Sequence, residues 1–174
     1  IYTNDDNLAH IIRGIVNHGM YERYHHDVVG VNSRLDSIQA GVLKAKLPHL
    51  DTYNKARQDA ARKYSLALGI NKNIVAPTIC ESCDCHVFHQ YVIRITNGNR
   101  DGLLAHLQEK GIPCAIYYPI PLHSQKAYAD TRYKEEDFPV TNQLCKEVIA
   151  LPMHTELDDE QIKFITDTVL EYMK

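Results

Sequence analysis

No apolar run in this sequence approaches the roughly 20 residues that cross a bilayer as a helix. Its first residues show no basic region followed by an apolar stretch and a small-residue cleavage site. A membrane span and a secretory leader are therefore not expected, and the cytoplasm is the expected compartment. Neither sign of charge dominates, since 19 Lys and Arg face 22 Asp and Glu, a formal net charge of −3. That balance offers no global field to nucleic acid or to an acidic membrane surface, so small molecules and proteins are the expected partners. A paired cysteine set is missing too. Cys80, Cys83, Cys85, Cys114 and Cys145 are odd in number in a chain with ample apolar residues, which argues against a disulfide framework and for a reducing compartment. No initiator methionine opens the chain. Ile1-Tyr2-Thr3 reads as a strand end running into Asn4-Asp5-Asp6, and a strand needs partners, so a preceding domain is expected upstream or on another polypeptide.

What is present, over 174 residues, suffices for one respectable core. From Asp5 or Asp6, Leu8, Ile11, Ile12, Ile15 and Val16 keep helical spacing behind an acidic first turn, and the helix should end near His18-Gly19. Met20 to Ser33 holds no sustained period and reads as an ordered loop. Beyond Arg34, two helical patterns follow: Leu35, Ile38, Val42 and Ala45, then Leu50, Arg57, Ala61, Tyr64 and Leu68, with Pro48 between them and Gly69 as the stop. Strands are expected at Asn73–Ala76 and Val87–Ile95, a helix from Asp101 to Lys110, and a strand from Ile112 to Tyr118 that Pro119 and Pro121 terminate. A polar stretch, Ser124 to Asp137, leads to a helix near Asn142–Ala150, the short Leu151-Pro152-Met153, and a last helix from Asp158. That helix carries Ile162, Ile165, Val169 and Tyr172 on one face, with Asp158 and Gln161 at capping-box spacing. This order predicts an α/β or α+β layer in which helices cover a small, mostly antiparallel sheet.

Three stretches hold residues suited to chemistry. Gly30-Val31-Asn32-Ser33-Arg34-Leu35-Asp36 sets an amide, a guanidinium and a carboxylate just before a helix, a pattern suited to a phosphate or carboxylate and also to plain capping. Tyr117-Tyr118-Pro119-Ile120-Pro121 suits a ligand wall or a strand end with a rigid turn. Cys80-x-x-Cys83-x-Cys85-His86 carries thiolates and an imidazole that could hold zinc, but its spacing is tight and no second Cys/His pair follows at finger distance. It reads as an exposed loop with free thiols. His25-His26-Asp27 likewise reads as loop, and no metal site is assigned.

Ordered landmarks along nearly the whole chain resemble one family. Gly30 to Ala40 is similar to the G-x-N-x-R-L-D-x-I-Q-A segment of the DegT/DnrJ/EryC1/StrS aminotransferases. Thr3-Asn4-Asp5 with Arg13 and Asn17-His18-Gly19, His89-Gln90-Tyr91-Val92-Ile93, Tyr117 to His123, and Leu151-Pro152-Met153-His154 resemble further segments in the same order. The resemblance implies the carboxyl-terminal part of a fold type I transferase dependent on pyridoxal phosphate. Such an enzyme moves an amino group from glutamate to a keto-sugar on a nucleotide diphosphate, for surface polysaccharide or related glycans. Residues 1–33 would then be the tail of the cofactor domain with an active-site loop, 34–68 connecting helices, and 69–174 the small domain.

The resemblance also implies site residues. Asn32 matches an asparagine that reaches the cofactor phosphate of a neighbouring subunit, and Arg34 stands beside it at the sugar, so a homodimer with shared sites is expected. Tyr118 matches a tyrosine of the sugar pocket, while Tyr117 stands where the family commonly has histidine. His123 and His18 match family histidines near substrate. The resemblance places the cofactor lysine just upstream of Ile1; every lysine present falls on a helical pattern or in polar surroundings, so the chain alone should be inactive. Two rival readings are a non-catalytic interaction or metal-binding module, and a family sugar dehydratase with histidine in place of that lysine.

Overall fold

A computed structural model of the chain describes residues 1–78, 85–128 and 130–174. The chain divides into two compact units, residues 1–49 and 50–174. The helical middle expected over residues 34–68 is thus shared between them.

In the first unit, α1 spans Asp6–Val16, and Asp5 caps it by accepting from the Leu8 amide at 3.0 Å. The expected loop after α1 contains a short antiparallel hairpin, β1 (Met20–Glu22) and β2 (His25–His26). Its strands are too short to show a period in the sequence. α2 spans Ser37–Lys46 with Asp36 as its cap, accepting from the Gln39 amide at 2.8 Å, and a 3-10 turn at Leu47–His49 holds Pro48.

The second unit begins with α3, Leu50–Leu68, whose Ala61, Tyr64 and Leu68 are fully buried at helical spacing. β3 (Ile74–Val75), β4 (Tyr91–Ile95) and β5 (Val148–Leu151) form an antiparallel sheet in that order. β4 alternates, burying Tyr91, Ile93 and Ile95, and its register with β5 pairs Tyr91 with Leu151 and Ile93 with Ile149. α4 (Arg100–Glu109) and α5 (Pro139–Glu147) lie against the sheet, and α6 (Asp159–Tyr172) packs on α3 and α4. The expected capping box is present at α6, with reciprocal Asp158 and Gln161 bonds of 2.7 and 3.1 Å.

Four expectations are corrected. Ile112–Tyr118 is not a strand; only Ala115 pairs, with Ala150, because Pro113 and Pro119 remove ladder donors on either side. The helix expected at Asn142–Ala150 starts at Pro139 and stops at Glu147, and the β-branched Val148-Ile149 opens β5 instead. The strand expected over Val87–Ile95 begins only at Tyr91, because Phe88, at φ +46°, interrupts the extended run before it. Cys85 is disulfide-bonded, contrary to the expected free thiol, whereas Cys80 and Cys83 lie outside the described residues. Cys114 and Cys145 are free. Among the described residues no helix is long and apolar enough to cross a membrane, and no group of three His, Cys, Asp or Glu is placed to hold a metal.

Candidate functional site

In the first unit the backbone does the positioning. The chain after the hairpin returns beside the end of α1, where the Val31 amide donates to the Ile15 carbonyl at 2.8 Å and Ser33 to Val16 at 3.0 Å. Asn32 forms an isolated bridge with Asn17, and the His18 amide donates to the Val31 carbonyl. This approach requires glycine. A Cβ on Gly30 would stand 2.1 Å from the Gly19 nitrogen, and one on Gly19, at φ +78°, would stand 1.7 Å from the Val28 oxygen. Beyond the crossing lies a cleft of about 420 Å³ lined by Asn32, Arg34, Leu35, Asp36 and Ser37. Arg34 Nε donates to Asn32 Oδ1 at 3.2 Å, which orients the amide and leaves its NH2 to donate elsewhere. The structure therefore brings Asn32 and Arg34 together. It leaves the exposed His18 off that wall, at φ +62°, with its carbonyl accepting from His26 Nδ1 at 2.8 Å.

Three neighbouring clefts lie among the described residues of the second unit. One, of about 560 Å³, is walled by the stretches that flank β4 and β5, among them His89, Gln90, Met153 and His154, together with Cys114 and Tyr117. Burial pushes the Cys114 thiol above its ordinary range. A second cleft, about 520 Å³, holds both Tyr117 and Tyr118, which are joined by a cis peptide bond. His123 lines a third, about 500 Å³, with Phe138 and two tyrosines. Tyr117 and Tyr118 thus share one wall, and His123 sits next door.

Arg57 was legible only as one residue of a helix face, yet it organises the first of these clefts. From α3 its Nη1 donates to the carbonyls of Phe88 at 3.1 Å, His89 at 3.2 Å and Met153 at 3.4 Å. A guanidinium with several donors can tie two loop ends that no strand ladder reaches. Tyr64 adds a bond from its hydroxyl to the Pro152 carbonyl at 3.0 Å. Burial, and secondarily the neighbouring Tyr91, pushes the Tyr64 phenol well above its ordinary range. The signal in the sequence was an arginine inside an otherwise apolar helical pattern, a position where a cation needs acceptors nearby.

The family model for DegT/DnrJ/EryC1/StrS aminotransferases matches residues 1–170. The chain belongs to that family. Its relatives in the DegT/DnrJ/EryC1/StrS family include the UDP-2-acetamido-2-deoxy-3-oxo-D-glucuronate aminotransferase of Pseudomonas aeruginosa, 44% identical over 165 residues, covering 95% of this chain and 44% of the relative. A pleiotropic regulatory protein of Geobacillus stearothermophilus is 41% identical over 176 residues, covering 100% of this chain and 46% of the relative. The crystal structure of S. venezuelae DesV, in complex with a ketimine intermediate, superposes with a TM-score of 0.90 at 34% identity, covering 99% of this chain and 46% of DesV. This family member therefore spans under half the length of the relatives it matches. Its small antiparallel sheet covered by helices is the fold those structures share.

Proposed function

We propose that the chain is the carboxyl-terminal part of a pyridoxal-phosphate-dependent transaminase that moves an amino group from glutamate to a keto-sugar carried on a nucleotide diphosphate. The observation that carries this reading is the Asn32–Arg34 cleft at the start of α2, in a chain of this family. Its donors fit a phosphate: an amide NH2 freed by the Arg34 bond, a guanidinium and a serine hydroxyl, while the one carboxylate, Asp36, is occupied by the Gln39 amide. In this reading Asn32 donates to the cofactor phosphate in a partner subunit's site, and Arg34 holds the sugar or its acidic substituent. Bound pyridoxal phosphate supplies the electron sink. The Tyr117 and Tyr118 hydroxyls donate to sugar hydroxyls or a carboxylate. His123 and His18 belong to the substrate side.

Among the described residues no lysine lines any of the four clefts, so this reading takes the cofactor lysine from the remaining length of the relatives. Residues 1–33 then end the cofactor domain, 34–68 connect, and 69–174 form the small domain of a homodimer acting in the cytoplasm on glycan precursors. The sugar class is supported by relatives named as UDP-sugar and dTDP-sugar transaminases. The test uses a polypeptide extended to the relatives' full length, with cofactor absorbance and conversion by glutamate as readouts. Both should be present, and Asn32→Ala should lower cofactor affinity about tenfold, the loss of one charge-assisted hydrogen bond. Absence of both signals from the parent protein overturns the transaminase reading, and unchanged affinity in the variant removes Asn32 from the phosphate.

A further inference from the structure

The end of α1 leaves backbone carbonyls that no further helical turn reaches, and each of them finds a donor elsewhere. The Gly14 carbonyl accepts from the Asn17 and Gly19 amides at 3.1 and 2.8 Å, Ile15 from Val31, Val16 from Ser33, and Asn17 from Met20. The Gly19 carbonyl accepts from the Asp27 and Val28 amides at 3.0 and 3.4 Å. His18, within the same series, is served by a side chain instead. Its carbonyl takes the imidazole of His26, whose Nδ1 stands 2.8 Å away. A carbonyl oxygen only accepts, so Nδ1 carries the proton of that bond.

His18 is the residue of this turn most in need of being held. It lies at φ +62°, in the left-handed region that residues with a Cβ seldom enter, and Gly19 follows at φ +78°. The His18 amide donates to the Val31 carbonyl at 3.0 Å, one residue before Asn32. His18 thus stands between the imidazole and the segment that carries the cleft. The hairpin delivers the ring, because β2 pairs His26 with Met20, two residues beyond His18. Resting on the transaminase reading above, we propose that His26 is a positioning residue for Asn32: its Nδ1–H holds the His18 carbonyl, and His18 in turn fixes the returning segment that presents the Asn32 amide. Arg34 orients the Asn32 side chain, and His26 steadies the backbone beneath it. Both are needed, since a hydrogen bond to a phosphate oxygen weakens steeply once the donor drifts off line. The bonds from Val31 and Ser33 persist without His26, so its loss loosens the segment and does not release it.

The experiment measures pyridoxal phosphate affinity in the polypeptide of full relative length. His26→Ala should weaken it about fivefold, less than Asn32→Ala, because the amide is displaced and not deleted. His26→Asn should restore the affinity, since its amide nitrogen takes the place of Nδ1 and donates to the same carbonyl. His25→Ala, next on the strand, should change nothing. In an Asn32→Ala background His26→Ala should cause no further loss, as expected of two residues acting through one contact. Two readouts need no cofactor. Nitrogen NMR of the neutral ring, well above the ordinary histidine range, should find His26 protonated at Nδ1. Hydrogen exchange in His26→Ala should quicken about tenfold at the Val31 and Ser33 amides and leave the amides of β4 protected. Equal loss of affinity from His26→Ala in both backgrounds, or no loss in either, overturns the proposal, and so does a ring protonated at Nε2. A parent protein without cofactor affinity overturns the transaminase reading, and the hold of His26 on the Asn32 segment then stands or falls on the tautomer and the exchange rates. Normal exchange in His26→Ala, in a parent that binds cofactor, overturns the role of His26 and leaves the transaminase reading standing.

Discussion

The two units hold themselves together by different physics. In residues 50–174, α3, the sheet and α6 interlock around side chains such as Tyr64, Leu68, Ile93 and Val169, all fully buried. In residues 1–49, Gly14 and Gly19 alone are buried, and neither has a side chain to contribute. Leu35, Ile38 and Val42 stay 62%, 82% and 55% exposed although their spacing is helical. The second unit is thus a hydrophobic core in the ordinary sense. The first is a backbone crossing whose shape rests on hydrogen bonds and on the absence of Cβ atoms. Periodicity in a sequence shows that a face is apolar, and it does not say what covers that face.

Substitutions can break this contrast, beginning with the strongest. Leu68→Ala should cost about 2–5 kcal/mol in urea unfolding, the range for a buried leucine that leaves a cavity, while Ile38→Ala should stay within about 0.5 kcal/mol. Equal losses at the two sites would refute the division. Arg57→Met should follow at about 1–3 kcal/mol, because the carbonyls of Phe88 and Met153 lose a donor in part-buried surroundings. Gly19→Ala should cost about 1–2 kcal/mol from the left-handed backbone alone. Its effect should be local: hydrogen exchange should quicken at the Val31 and Ser33 amides and leave the amides of β4 protected.

The smallest effect concerns pH. The folded state raises the Tyr64 pKa, so it retains that proton where the unfolded chain releases it. The contribution is whole below the ordinary tyrosine pKa of about 10 and is lost as pH rises beyond it. Tyr64→Phe should therefore flatten the alkaline fall in stability measured from about pH 9 to 11. Tyr91, whose pKa burial also raises, keeps part of the slope. An unchanged slope would mean that Tyr64 does not titrate with unfolding.

How far the sequence could be read depended on range. Asp5, Asp36 and Asp158 were legible as caps because a cap bonds within three residues. β4 was legible because its β-branched and aromatic residues form a local run. Val148-Ile149 was misassigned because a helix end and a paired strand begin with the same apolar residues, and only β4 alongside makes the second choice. Ile112–Tyr118 failed for the opposite reason, since β-rich composition cannot overcome prolines that remove the donors of a ladder. At the site, the pairing of Asn32 with Arg34 is local and could be read, whereas the role of Arg57 spans partners 31 to 96 residues away.

By itself, then, the sequence determined the local elements and the family, because caps, periods and ordered motifs are properties of neighbouring residues. Tertiary structure alone decided which apolar faces became core, that Arg57 binds the loops flanking β4 and β5, and that His123 sits among aromatic rings beside the Tyr117–Tyr118 cleft. Those outcomes depend on contacts between distant segments, whose geometry is set by packing and backbone pairing and leaves no period in the chain.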